Sequence, residues 1–207
     1  GPLRCHMGGR VGRVPHANRV DPHGRLIATP ARGLFFGNRG VLHDRHGQVS
    51  RERTSERRWL ICVTEFKGRR RPLFRPGHYT ELFFLDEAVG LAAGHRPCVE
   101  CRRPAFLAFT AALGRPDLRA GELDRILDGE RWQPGVLDEP ATRLPDGTFV
   151  DDGEQAFLIR RGQLLPWTPS GYGAPERRPA ATYRLLTPPT SLAALRGGYV
   201  AELHPSA

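Results

Sequence analysis

An α+β fold is expected for this chain on three observations. Short runs rich in β-branched and aromatic residues, bounded by Gly and Pro, occupy both ends. Between them lie segments whose apolar residues recur at helical spacing. Set among those helical segments is Gly94-His95-Arg96-Pro97-Cys98-Val99-Glu100-Cys101-Arg102-Arg103-Pro104, with two cysteines two residues apart. The expected architecture is a central α/β unit (59–131) stapled at that pair, with an N-terminal β arm (7–58) and a β-rich C-terminal segment (132–207) packed into one body.

The elements follow in order. Gly1-Pro2-Leu3 reads as a protease remnant and Met7 as the native start, so residues 1–6, Cys5 included, are vector-derived. Residues 8–24 are rich in Gly, Arg, Pro and His and read as irregular. Leu26 to Thr29 and Gly33 to Gly37 read as strands, and Trp59 to Phe66 as a third. Leu82 to Ala93 is a strand running into a helix. Pro104 suits the first turn of the next helix, whose start lowers the thiol pKa of nearby Cys101. A further helix spans about 120–130, carrying Leu123, Ile126 and Leu127. Residues 133–147 and 168–181 read as Pro/Gly loops. Between them, strands at 148–150, 156–159 and 163–167 include a hairpin turning at Arg161-Gly162. A strand at 183–186, a short helix at 191–195 and a terminal strand at 198–203 close the chain.

Hydrophobic residues make up 39% of the 207, enough for a substantial core. No apolar run approaches membrane-spanning length, and no export signal precedes the fold. A cytoplasmic location is expected, on the nucleoid if the partner is DNA. Three cysteines, Cys62, Cys98 and Cys101, are a poor number for a disulfide framework and a good one for a metal. Cys-x-x-Cys offers two sulfurs to one zinc ion, and Cys62 is the best third ligand. Of His43, His46, His78 and His95, His95 is too close to Cys98 for comfortable chelation. His43 or His78 ranks first as a fourth ligand.

The formal net charge is +9, and Lys67 is the only lysine. Arginine-rich coding accounts for the Arg/Lys ratio but not for the excess of positive charge, which suits a DNA or RNA partner. Lys67-Gly68-Arg69-Arg70-Arg71 is the densest basic cluster, flanked by Trp59, Phe66, Phe74 and Tyr79. Basic groups among aromatics suit a nucleic-acid surface, although aromatics at strand spacing are more often core. Asp86-Glu87 reads as a helix N-terminal charge pair rather than a catalytic dyad. His43-Asp44 is the remaining cluster with catalytic potential. A deaminase would need His-x-Glu or Cys-x-Glu; Cys62-Val63-Thr64-Glu65 and His78-Tyr79-Thr80-Glu81 are each one residue too long.

Phe83-Phe84, Glu87-Ala88 and Ala92-Ala93-Gly94-His95-Arg96-Pro97-Cys98-Val99-Glu100-Cys101-Arg102-Arg103-Pro104 resemble the zinc-binding N-terminal domain of the DNA methyl-phosphotriester repair protein Ada, over about residues 59–104. The resemblance implies that Cys98 and Cys101 bind zinc and that a surface faces DNA, with Arg96 bracing the knuckle or meeting phosphate. Lys67, Arg69, Arg70, Arg71, Arg102 and Arg103 complete the expected nucleic-acid contacts. That family's second half-site is Cys-x-x-x-Cys, one member of which accepts the methyl group. Here Cys62 stands alone, with Arg58 and Phe66 four residues away. A histidine, a carboxylate or an open position then completes the site. The functional expectation is a zinc-containing, nucleic-acid-directed protein of DNA repair or processing. The alternatives are a binding module with structural zinc and a zinc-dependent hydrolase.

Overall fold

The computed structural model describes residues 15–68, 72–133, 135–176 and 182–207. It is an α+β structure with two six-stranded sheets. Cys5, Arg69, Arg70 and Arg71 lie outside the described residues.

The first sheet comprises β1 (Ala17–Val20), β2 (Leu26–Ala28), β3 (Phe35–Asn38), β4 (Leu60–Val63), β5 (Leu82–Phe84) and β6 (Arg96–Pro97), in the order β2-β1-β5-β3-β4-β6. The N-terminal strands are therefore not an appended arm. β3 lies between β5 and β4, and β1 pairs in parallel with β5. The segment expected to be irregular before residue 24 contains β1, which pairs antiparallel with nearby β2 and in parallel with distant β5; its sequence, Ala17-Asn18-Arg19-Val20, carries no apolar alternation to mark it. Alternation along the strands sends Phe35, Ile61, Leu82 and Phe84 into the core.

Helix α1 (Glu87–Ala92) packs its glycine against this sheet: a Cβ on Gly90 would come 2.7 Å from Ile61 Cδ1. Gly94 follows with φ +80°, the left-handed turn that ends many helices. Helices α2 (Arg103–Ala112) and α3 (Ala120–Glu130) stand where their periodicity places them, burying Phe106, Phe109, Leu123 and Leu127.

The second sheet contains β7 (Gly135–Val136), β8 (Phe149–Asp151), β9 (Ala156–Arg160), β10 (Gln163–Thr168), β11 (Gly171–Tyr172) and β12 (Arg184–Leu185), in the order β11-β10-β9-β8-β12-β7. β9 and β10 form the expected hairpin, Arg160 opposite Gln163, with Arg161 and Gly162 at φ 49° and 69°. Two successive positive φ values are what a two-residue loop needs to match the strand twist. β7 and β11 fall inside stretches read as loops, since two-residue strands carry no alternation. Helix α4 (Pro189–Arg196) completes the layer. One core cluster takes Phe84, Val89 and Phe109 together with Phe149, Leu158 and Leu195, so the two sheets share it.

Residues 198–203 form no strand. They run as an extended tail whose polar groups go to two fully buried carboxylates. Asp86 caps α1, its Oδ1 accepting from Val89 N–H at 3.1 Å. Its Oδ2 accepts from Tyr172 Oη at 2.8 Å and from His204 N–H at 3.0 Å. Glu87 Oε1 accepts from Arg102 Nη1 at 2.6 Å and Tyr199 Oη at 2.5 Å, and Oε2 from Glu202 N–H at 2.9 Å. The helix-start reading of Asp86-Glu87 holds, and the pair also ties α1 to β11, to the tail and to the cysteine loop.

Glu87→Ala leaves the Arg102 guanidinium buried without its main partner. The expected loss is about 3–5 kcal/mol of unfolding free energy, as for other broken buried pairs, read by urea denaturation. A loss below about 1 kcal/mol, the range of exposed pairs, would show that the contact does not hold the tail.

Candidate metal centre

Three cysteine sulfurs converge at the edge of the first sheet. Parallel pairing of β4 with β6 sets Leu60 beside Arg96 and Ile61 beside Pro97. The ladder continues one step, Cys98 N–H donating to Ile61 O at 2.9 Å, which brings Cys98 alongside Cys62. The chain then turns back, Arg102 N–H closing onto Cys98 O at 3.0 Å, and returns Cys101 to the pair. The three Sγ atoms lie within 4.8 Å of one another. Cys62 and Cys98 are buried and Cys101 half-buried. Glu100 N–H points at Cys98 Sγ at 3.4 Å, a backbone donor aimed at a thiolate.

The sulfurs compete for protons. Hydrogen bonds from Cys101 and then Cys62 hold the Cys98 thiol down, while bonding to Cys101 and Cys98, then burial, push Cys62 up. The lowering expected for Cys101 from the start of α2 is corrected: its bond with Cys62 pulls down, but Cys98 and burial outweigh it and the thiol is raised. Three thiolates this close repel one another, so full deprotonation calls for a cation among them. The donor set thus fits a metal ion. Among the described residues the cluster contains no histidine or carboxylate.

Two buried arginines brace the loop. Arg96 makes a bidentate pair with Asp124 of α3, both contacts at 2.9 Å, and donates to Pro97 O at 3.0 Å. Arg102 reaches Glu87 on one side and Glu202 Oε1, at 2.8 Å, on the other. The expectation that these two arginines meet nucleic acid is corrected, because both are buried in ion pairs. The bracing role considered for Arg96 is the one the structure gives it. Asp124, Tyr199 and Glu202 were missed; a lone acid on an amphipathic helix and a polar tail carry no local sign of their partners. Arg103 is exposed at the start of α2, and Lys67 is exposed with its Nζ 5.1 Å from the Phe66 ring centroid.

The histidines lie elsewhere. His43 is buried, its Nδ1 2.7 Å from Thr80 Oγ1 and its Nε2 3.2 Å from Arg75 O, with its ring against Phe74. Asp44 is exposed, and its Oδ1 accepts from His46 and Gln48 N–H at 2.8 and 2.9 Å, closing a turn. The bond from Gln48 holds its carboxyl below the usual range. His78 is exposed, with Nδ1 3.1 Å from Pro76 O. Neither His43 nor His78 joins the sulfurs, and His43-Asp44 serves the packing of its own loop. No protein-family model, curated protein or solved structure matches this chain.

His95 is fully buried between Trp59 and Phe84, with ring centroids 5.0 and 4.8 Å away, and the backbone of Ala93 and Gly90 pulls only weakly in favour of its charged form. Burial, then the charges of Arg39 and Arg131, hold its pKa well below the ordinary value. The unfolded chain takes up a proton here below about pH 6.5, while the buried ring does not. Stability therefore falls as pH drops below that value, by up to about 1.4 kcal/mol per pH unit from this group. His95→Phe should flatten that part of the profile in urea unfolding between pH 7.5 and pH 5.5. An identical slope in both proteins would contradict the assignment.

Proposed function

We propose that the cysteine triad holds a zinc ion and that the protein is directed at nucleic acid, in DNA repair or processing. The observation that carries this reading is the convergence of Cys62, Cys98 and Cys101 within 4.8 Å. Tetrahedral zinc with bonds of about 2.3 Å sets its sulfurs about 3.8 Å apart, within that spread. Soft thiolates select zinc among the common divalent ions. The formal charge of +9, with Lys67 and Arg103 exposed, supports a polyanionic partner.

When bound, the ion keeps the three sulfurs deprotonated, and their charge makes it a weaker Lewis acid than in a histidine set, which favours sulfur chemistry over hydrolysis. Cys101 is then the sulfur in a position to react. It is half-buried where the other two are buried, and it stands just before the start of α2. In alkyl transfer its Sγ attacks the methyl carbon of a phosphotriester. The S–C bond forms, the C–O bond breaks, and the phosphodiester oxygen leaves with the electron pair. Cys62, the acceptor that the family resemblance points to, is only 7% exposed and acts as a plain ligand. The second reading is a binding module whose metal is structural. The bracing of the loop by Arg96–Asp124 and Arg102–Glu87 favours it, because both buried pairs hold the loop in place.

Purified protein should contain about one zinc per chain. Cys98→Ser should lose it together with about 10 °C or more of Tm, a few kcal/mol at about 2–4 °C per kcal/mol for a chain of this size. Metal-free protein whose Tm is untouched by the substitution would refute the zinc centre.

Incubation with DNA carrying methyl phosphotriesters, followed by intact-mass measurement, separates the chemistries. Alkyl transfer adds one methyl group, mapping to Cys101. A methyl group on Cys62 would overturn the accessibility argument, and no gain would leave the structural module. Strand or base cleavage would establish the hydrolase instead.

A further inference from the structure

Pairing across the first sheet sets four residues in a row. Arg19 of β1 stands opposite Phe83 of β5, Phe83 opposite Phe36 of β3, and Phe36 opposite Cys62 of β4. Directly paired residues project from the same face of a sheet. Their neighbours along the strands, Phe35, Ile61, Leu82 and Phe84, fill the core, so the row belongs to the opposite face. That face keeps solvent contact: Phe36 and Phe83 are half-buried, and Leu34, two residues before Phe36, is 43% exposed.

The rings form a small cluster. Phe36 and Phe83 have centroids 6.0 Å apart, and half-buried Tyr79 lies 6.1 Å from Phe36. The Arg19 guanidinium sits 4.7 Å from the Phe83 centroid. Its hydrogen bonds go to Ala31 O and Asn18 Oδ1, neither of them a carboxylate. Exposed Arg32 adds a second positive charge there, and burial followed by that neighbour lowers the pKa of Arg19. At the cysteine end, Lys67 and Arg103 are exposed.

We propose that this row is a stacking platform for unpaired nucleic-acid bases, leading a single strand across Phe83 and Phe36 to the cysteine cluster. The inference rests on the nucleic-acid reading above and narrows its substrate to single-stranded or base-unpaired sites. A duplex offers a sheet face only phosphates and groove edges, whereas unstacked bases offer π-faces that rings on a sheet accept regardless of sequence. Cations at both ends of the row neutralise the backbone. From β1 to β4 is three strand spacings, about 14 Å, which accommodates the two or three bases that sheet platforms of this kind stack.

Fluorescence anisotropy at low salt, with a labelled single-stranded oligonucleotide and its matched duplex, tests the platform on the full chain. The single strand should bind more tightly than the duplex. Phe83→Ala should weaken single-strand binding by about 5- to 150-fold, the range of one base–aromatic stack, and leave duplex binding unchanged. Phe83→Tyr, which keeps the ring, should bind as the parent does. Zinc content and a Tm above the assay temperature certify that each variant is folded. A duplex preference, or a folded Phe83→Ala that binds single strands as the parent does, overturns the platform and leaves the nucleic-acid reading standing. No binding to either form overturns that reading itself.

Discussion

The Glu87 carboxylate, buried and shared among Arg102, Tyr199 and the backbone of Glu202, is the contact on which the rest of this structure depends. An ionised carboxylate removed from water is costly unless its oxygens are met by donors. Here the donors come from the cysteine loop and the C-terminal tail, which also meet directly through Arg102 and Glu202. Asp86, one residue earlier, repeats the device with Tyr172 of the second sheet and His204 of the tail. Burial pushes the Asp86 carboxyl up, and the hydrogen bonds from His204, Val89 and Tyr172 pull against it. Two adjacent acids at one helix start thereby join parts of the chain more than a hundred residues apart.

The cysteine cluster inherits its geometry from this arrangement. Bringing three sulfurs together opposes their mutual repulsion, and a loop that relaxed outward would relieve it. Outward relaxation is blocked at both ends of the loop. Before Cys98, Arg96 is locked to Asp124; after Cys101, Arg102 is locked to Glu87. Each is a charge-assisted contact in a buried setting, where hydrogen bonds to charged groups contribute about 1.5–3 kcal/mol. The arginines flanking the knuckle are thus positioning residues, and the positive charge they would lend to a nucleic-acid surface is consumed internally.

What the sequence made legible, and what it did not, divides along the range of the interaction. The Cys98-x-x-Cys101 pair, the Arg161-Gly162 hairpin and helices α2 and α3 each announce themselves within a dozen residues. Cys62 was legible as the third sulfur because it lies in an unmistakable strand. Arg96 and Arg102 look alike in sequence to the exposed Arg103; only Asp124 and Glu87, distant in the chain, decide that the first two are buried. The tail from Tyr199 to Leu203 alternates like a strand, yet it joins no ladder and is held by the Glu87 carboxylate and backbone. His43 illustrates the reverse error. A histidine next to an aspartate reads as chemistry, but Thr80 and Arg75 occupy both its ring nitrogens.

Alternation along β3 and β4 gives the first sheet two unlike faces, and the cysteines belong to the one that the core does not claim. Phe36 is paired with Cys62 and Phe35 with Val63, so a one-residue slip of β3 would exchange the outward and inward rings. That register is pinned by Gly37, whose added Cβ would lie 2.1 Å from Leu60 O, so the close approach of the two strands there admits no side chain. It is pinned again by Phe35, buried over the Arg102 guanidinium at 4.5 Å. The residue that braces the knuckle from below therefore also fixes which rings face outward above it. Arg102 thus bears on both the sulfurs and the aromatic row, whereas Phe83 belongs to the row alone.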